Sequence, residues 1–163
     1  MIIFAERWLS GRKHRTRNAA WVQAYRGFES HPLRHDPRTA DIPLKIYFDG
    51  GCRPNPGEMQ VAVVARGVVH HLADLGPGSS EQAEWLALLH GLRVADMIGE
   101  PDIVLLGDAA GVIGQVNGTI KCRNASFLEQ FQTQAATFER VRLRFVRRNQ
   151  NLAGIALAKL AER

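Results

Sequence analysis

The chain has 163 residues, 45% of them apolar, and a formal net charge of +5, enough for one sizeable core with little left for a second. No stretch approaches the roughly 18 uninterrupted apolar residues that span a bilayer, and Met1 to Phe4 is too short an apolar run for a secretory signal, so a cytoplasmic protein without a membrane partner is expected. The two cysteines, Cys52 and Cys122, lie far apart without CxxC spacing, which argues against a zinc knuckle or a disulfide framework and for ordinary free thiols.

The charge is unevenly spread. Up to Pro43 there are eight Lys/Arg against four acids, a net +4, whereas the remaining 120 residues carry 13 against 12. A nucleic-acid argument from pI alone is therefore weak, although a local basic run, Arg140, Arg142, Arg144, Arg147 and Arg148, survives in the C-terminal half. From Ser10 to Arg38 neither apolar periodicity is present, and Arg, His, Asn and Pro are dense, so residues 1–43 are expected to be a disordered extension. Within it Arg26-Gly27-Phe28-Glu29-Ser30-His31-Pro32-Leu33-Arg34 resembles a translated transfer-RNA gene, because the T-arm core GGG TTC GAA TCC spells Gly-Phe-Glu-Ser. Trp8-Leu9-Ser10-Gly11 resembles a translated D-arm of the serine type. Translation beginning near Leu44 is one reading of this segment, and a basic nucleic-acid-binding tail is the other.

From Leu44 the elements follow in order. Lys45 to Phe48 reads as a strand ending in Asp49-Gly50-Gly51, followed by a turn-rich loop with Pro54, Asn55, Pro56 and Gly57. Gln60 to Val69 and His70 to Leu75 read as two further strands before a Gly76-Pro77-Gly78 break. Ala83, Leu86, Ala87, Gly91 and Val94 then recur at helical spacing, with Ser79 or Ser80 available as N-cap. Ile103 to Leu106 is a strand buried on both faces, ended by Gly107-Asp108. Helices over Ala110 to Val116 and Phe127 to Phe138, a strand from Val141 to Val146, and a helix from Asn151 to Ala161 complete the chain. Three meandering strands followed by two strand-helix units predict an α/β fold, a mixed five-stranded sheet with helices on both faces.

Asp49 and Asp108 each follow a strand, where open α/β sheets border their functional crevices. Glu84 sits on the inner part of the first helix, between Ala83 and Ala87, an expensive place for an acid without a partner. Three convergent carboxylates repel one another and hold protons at neutral pH unless a divalent cation lies between them. An all-oxygen donor set favours Mg²⁺ or Mn²⁺ over zinc.

With these residues in view, the blocks Tyr47-Phe48-Asp49-Gly50-Gly51 with Arg53, Asn55, Pro56 and Gly57, then Ser79 to Leu88, Gly107-Asp108-Ala109 and Gln115-Val116-Asn117-Gly118 resemble ribonuclease H type 1. The likeness covers the chain from Leu44 on. It implies a ribonuclease H-like domain over 44–163 that hydrolyses the RNA strand of an RNA/DNA hybrid, with Asp49, Glu84 and Asp108 as catalytic metal ligands for Mg²⁺ or Mn²⁺. Gly50, Gly51, Cys52, Arg53, Asn55, Glu81 and Gln82 fall at substrate-binding positions by the same resemblance. Nothing in it calls for an obligate protein partner.

One block departs. The family closes on Asn-x-x-Ala-Asp-x-Leu-Ala, and here that stretch is Asn151-Leu152-Ala153-Gly154-Ile155-Ala156-Leu157-Ala158, so Ile155 stands where a fourth carboxylate is expected. Glu81, also unlike the family, is read either as a substitute carboxylate or as a repulsive charge; Asn151 as an N-cap or a ligand. Two functions remain open: a metal-dependent hybrid endonuclease, and a non-catalytic nucleic-acid-binding module on the same fold. His70, His71 and His90 lack metal-ligand spacing and read as strand and helix-surface histidines. Trp85 reads as core or groove wall. Arg140, Arg142 and Arg144 share a strand face that suits either a phosphate track or a solvated surface.

Overall fold

The computed structural model describes residues 42–162; the expectations for the N-terminal extension fall almost wholly on residues 1–41, outside the described residues. Strands β1 (Leu44–Cys52), β2 (Gly57–Ala65), β3 (Val68–Leu72) and β4 (Pro77–Gly78) precede helix α1 (Ser80–Ile98). Then come β5 (Asp102–Gly107), α2 (Ala110–Val116), α3 (Ala125–Ala135), β6 (Arg140–Phe145), a 3₁₀ turn (Arg148–Gln150) and α4 (Leu152–Ala161). The sheet order is β3-β2-β1-β5-β6, with β4 paired to β2 alone. β1, β2 and β3 run antiparallel, while β5 lies parallel to β1 and β6 parallel to β5.

The expected mixed α/β sheet is present, with three corrections. The Gly76-Pro77-Gly78 break contains a sixth, two-residue strand, whose Gly78 pairs with Gly57. The second strand ends earlier than its Val-rich composition suggests, because Arg66 (φ 50°) and Gly67 (φ 77°) both adopt the left-handed region. They form the two-residue hairpin turn whose twist suits antiparallel strands. Finally, β1 does not stop at Asp49: it continues through both glycines, with Asp49 opposite Ala62 and Cys52 opposite Met59.

Two cores explain the layering. Ile46 and Phe48, Val61 and Val63, and Ile103 and Leu105 project to one face, where Trp85, Leu88, Leu89 and Leu92 of α1 cover them. Alternate residues Ala62 and Val64 face the other way and pack on Ala153 and Leu157 of α4. Each fully buried large side chain in these layers contributes about 1.5–3 kcal/mol. The start of α1 is fixed by a reciprocal cap, in which the Ser79 hydroxyl accepts from Gln82 N–H and the Gln82 side chain accepts from Ser79 N–H. Its end is a left-handed Gly99. At α4 the cap is Asn151, as its sequence position predicts.

Candidate metal centre

The parallel pairing of β1 with β5 ends at Tyr47 opposite Leu106. Two residues beyond each, Asp49 and Asp108 emerge at the C-terminal edge of the parallel strands, the edge at which α/β sheets place their ligands. Glu84 arrives from α1, and its approach depends on Gly50. A Cβ at Gly50 would lie 2.1 Å from the Ala83 carbonyl oxygen, so any larger residue would push the helix away from the strand. Gly50 therefore serves as a contact point rather than a release for a turn, and its N–H donates to Glu84 Oε2 at 3.3 Å. On the opposite face Gly154 of α4 makes a looser approach: a Cβ there would stand 3.2 Å from Asp49 Oδ2, close enough that the carboxylate would have to shift slightly.

The result is a cluster in which one carboxylate oxygen from each of Asp49, Glu84 and Asp108 lies within 4.8 Å of the others. Asp49 is only 7% exposed. Burial, then the Asp108 charge, raise Asp49 to about 6 against the opposing pull of Arg148. Burial, then the charges of Asp49 and Asp108, push Glu84 up to about 9. A proton thus resides in the cluster at neutral pH when no cation compensates it. Among the described residues Arg148 is the one basic side chain paired to the cluster, with Nη1 3.6 Å from Asp108 Oδ2, but it is 79% exposed and offsets the repulsion weakly. Three oxygen donors with a charge deficit fit a hard divalent cation of the Mg²⁺ or Mn²⁺ kind.

Asn151 gives the cluster a neutral support that its sequence position did not reveal. Fully buried, it donates through Nδ2 to Asp108 Oδ1 at 2.7 Å and to the Phe48 carbonyl at 3.0 Å. Its Oδ1 meanwhile caps α4 by accepting from Ala153 N–H at 3.2 Å. An Asn before a helix announces the cap; only the strand register shows that the other half of the amide reaches Asp108.

The remaining expected site residues are distributed around this centre. Gly51 and exposed Arg53 lie on and just beyond the end of β1. Cys52 is buried, with Sγ donating to the Gly78 carbonyl at 3.3 Å. Asn55 Oδ1 accepts from Ser80 N–H at 3.2 Å and so ties its loop to the start of α1. Glu81 lies outside the cluster, where its Oε1 accepts from Gln115 Nε2 at 2.8 Å and from Asn124 Nδ2 at 3.1 Å. Ile155 is 37% exposed on α4, directly after Gly154.

One other expectation is corrected. His90 is no surface histidine but 9% exposed, with Nε2 lacking any hydrogen-bond partner, and burial chiefly lowers it to about 4. On β6, where either a phosphate track or a solvated face was open, Arg142 and Arg140 pair with Asp102. Trp85 is core, stacked on Phe127 at 5.8 Å between centroids. Both cysteines are free thiols. Among the described residues no helix is long and apolar enough to cross a membrane.

Comparison with known proteins gives these features a family. A family model described as reverse transcriptase-like matches residues 48–161. The bifunctional protein Rv2228c of Mycobacterium tuberculosis is 30% identical over 122 residues, covering 69% of this chain. An uncharacterized protein of Mycobacterium bovis matches to the same extent. The chain spans about a third of the length of these curated relatives, 34%. Among solved structures, RNase H1 from the archaeon Halobacterium salinarum superimposes with a TM-score of 0.65 at 26% identity, over 72% of this chain and 99% of that one. The N-terminal RNase H domain of Rv2228c gives 0.64 at 26% identity, over 74% and 97%. LC11-RNase H1, solved in complex with an RNA/DNA hybrid, shares the fold with a TM-score of 0.58 at 24% identity, over 72% and 99%.

Proposed function

The chain belongs to the reverse transcriptase-like family and has the RNase H-like fold, and from that premise we propose that it is a divalent-metal-dependent endonuclease that hydrolyses the RNA strand of RNA/DNA hybrids. The observation that carries this reading is the convergence of Asp49, Glu84 and Asp108 within 4.8 Å, on a fold whose solved relatives include an RNase H1 bound to such a hybrid. Structural acids are normally matched by a base or left in water; among the described residues Asp49 and Glu84 have no ion pair, and Asp108 has the exposed Arg148 alone.

Each residue has a part in that chemistry. Asp49, Glu84 and Asp108 would hold Mg²⁺ or Mn²⁺ through carboxylate oxygens, and Asn151 fixes the rotamer of Asp108. A divalent ion bound there supplies Lewis acidity, stabilising negative charge on the phosphate and on the oxygens that attack and leave. Arg148, exposed beside Asp108, can turn from the carboxylate to an incoming phosphate. Gly50, Gly51, Arg53 and Asn55 line the approach at the end of β1, and Gln82 and Glu81 mark the first turn of α1. Selection of the hybrid would rest on contacts to the 2′-hydroxyl and to groove shape.

Ile155 supports a second reading, a nucleic-acid-binding module that has lost catalysis, since its side chain offers no ligand where the resemblance implies a fourth carboxylate. One experiment separates the two. The full chain is incubated with an end-labelled RNA/DNA hybrid in Mg²⁺ or Mn²⁺, beside its Asp49→Asn and Ile155→Asp variants. Cleavage by the wild type that disappears with Asp49→Asn supports the endonuclease. Binding without cleavage, with activity appearing only in Ile155→Asp, supports the binding module.

A further inference from the structure

Phe145 closes β6, the edge strand of the sheet, and 54% of it is exposed. A single exposed aromatic is ordinary on a protein surface; the position of this one is not. Its Cα partner across the sheet is Gly107, and the next residue, Val146, donates its N–H to the Gly107 carbonyl at 2.8 Å. The ring is therefore anchored beside the residue that immediately precedes Asp108. Val141 and Leu143, the alternate residues of the same strand, pack against the core, while Phe145 continues their row beyond it.

The neighbouring chain is shaped to leave the ring accessible. After Asp108 come Ala109, Ala110 and Gly111; the last two are exposed, and a Cβ added to Gly111 would meet open space. Basic residues flank Phe145 along the chain. Arg144 precedes it on the other face of the edge strand, and Arg147 and Arg148 follow it, all three exposed. Arg148 already reaches to 3.6 Å from Asp108, and neither Arg144 nor Arg147 makes an ion pair among the described residues. Arg140 and Arg142, farther along the strand, are engaged by Asp102 instead. Three exposed arginines, one of them paired to Asp108, thus lie within three residues of Phe145 in the chain.

An aromatic side chain flanked by arginines is the arrangement by which proteins hold single-stranded nucleic acid, the ring stacking on a base and the cations neutralising phosphates. A base inside a duplex has both faces occupied and cannot use such a ring. We propose that Phe145 is a stacking platform for one unpaired nucleobase flanking the phosphate at the carboxylate cluster, with Arg147 and Arg148 on adjoining phosphates. This deepens the nuclease reading and rests on it. The site accordingly prefers a strand that has a single-stranded step next to the cut over one that is paired throughout.

Binding to an uncut substrate tests this directly. Full-length Asp49→Asn protein is titrated with two hybrids of equal length, one fully paired and one with a single-stranded step, each carrying 2-aminopurine at the step position. The stepped hybrid should bind about tenfold more tightly, the scale of one base–aromatic stack, with quenching of the 2-aminopurine. Phe145→Leu in the same background should remove both the preference and the quenching, while Phe145→Trp should keep both. Equal affinities for the two hybrids, or an unchanged preference in Phe145→Leu, would overturn the proposal. Failure of the nuclease reading has a different signature: wild-type protein would show no Asp49-dependent cleavage of either hybrid, whatever the stacking signal does.

Discussion

The two ends of β5 carry the same residue type in opposite electrostatic company. At its start, Asp102 sits between Arg140 and Arg142, bonding Arg142 directly and lying 3.9 Å from Arg140. Just past its end, Asp108 faces Asp49 and Glu84, with the exposed Arg148 as its one ion-pair partner among the described residues and the Asn151 amide as its neutral support. Charge at the first end is balanced by the protein itself. At the second end it is not, and this contrast, rather than acidity alone, is the ground for reading Asp102 as structural and Asp108 as a candidate ligand.

The sharpest way to break the comparison is to neutralise one acid at each end. Asp49→Asn should lower hybrid cleavage by about a hundredfold or more, the scale on which single electrostatic contacts to a transition state act, as read from initial rates. Asp102→Asn should leave those rates within about threefold and cost no more than about 1 kcal/mol in denaturant unfolding, since a partly exposed surface pair is worth little. Comparable losses in the two variants would mean that the ends are not different in kind.

Glu84→Gln extends the comparison to stability. Glu84 is raised from an ordinary 4.5 to about 9, so the folded metal-free protein binds its proton more tightly than the unfolded chain does. Stability without metal then falls as pH rises above about 4.5, and the loss is complete above about 9. Glu84→Gln should therefore melt higher than wild type in chelator at pH 8, with the two converging toward pH 4.5. Added Mn²⁺ should raise the melting temperature of the wild type more than that of the variant. A variant that melts lower than wild type in chelator would contradict the charge deficit assigned to the cluster.

His90 reverses the sign. It is lowered from 6.5 to about 4 by burial, then by the charges of His70 and Arg93, so its contribution is present above about pH 6.5 and is lost as pH falls through 4. At about 1.4 kcal/mol per unit, the loss across that window is on the order of 3 kcal/mol. A midpoint that declines as steeply between pH 6.5 and 4 in His90→Leu as in wild type would assign the acid limb to other groups.

Much of this architecture is legible in the sequence because the signals are local. The Ser79 cap, the 3.6-residue period through Ala83 and Ala87, and the apolar run Ile103 to Leu106 each depend on near neighbours, and the structure has all three. The three acids are legible as well, since Asp49 and Asp108 follow strands and Glu84 is an odd choice on an inner helix face. What is not legible depends on contacts between distant elements. Gly50 and Gly51 look like turn residues, yet β1 runs through them because β2 pairs with every residue to Cys52 and α1 needs the space at Gly50. Glu81 looks like a spare carboxylate one turn from Glu84 until Gln115 and Asn124 are seen to hold it elsewhere. His90 reads as a surface residue because nothing in its sequence neighbourhood shows that its helix face is buried on all sides.

The central claim is that Asp49, Glu84 and Asp108 form a divalent-cation site, and calorimetric titration of Mn²⁺ into the full-length protein near pH 7 tests it most directly. Repeating the titration in buffers of different ionisation enthalpy counts the protons released. Saturable binding accompanied by proton release, abolished by Asp49→Asn and preserved in Asp102→Asn, is the predicted result. Binding that is equally strong in Asp49→Asn, or that releases no proton, would contradict it.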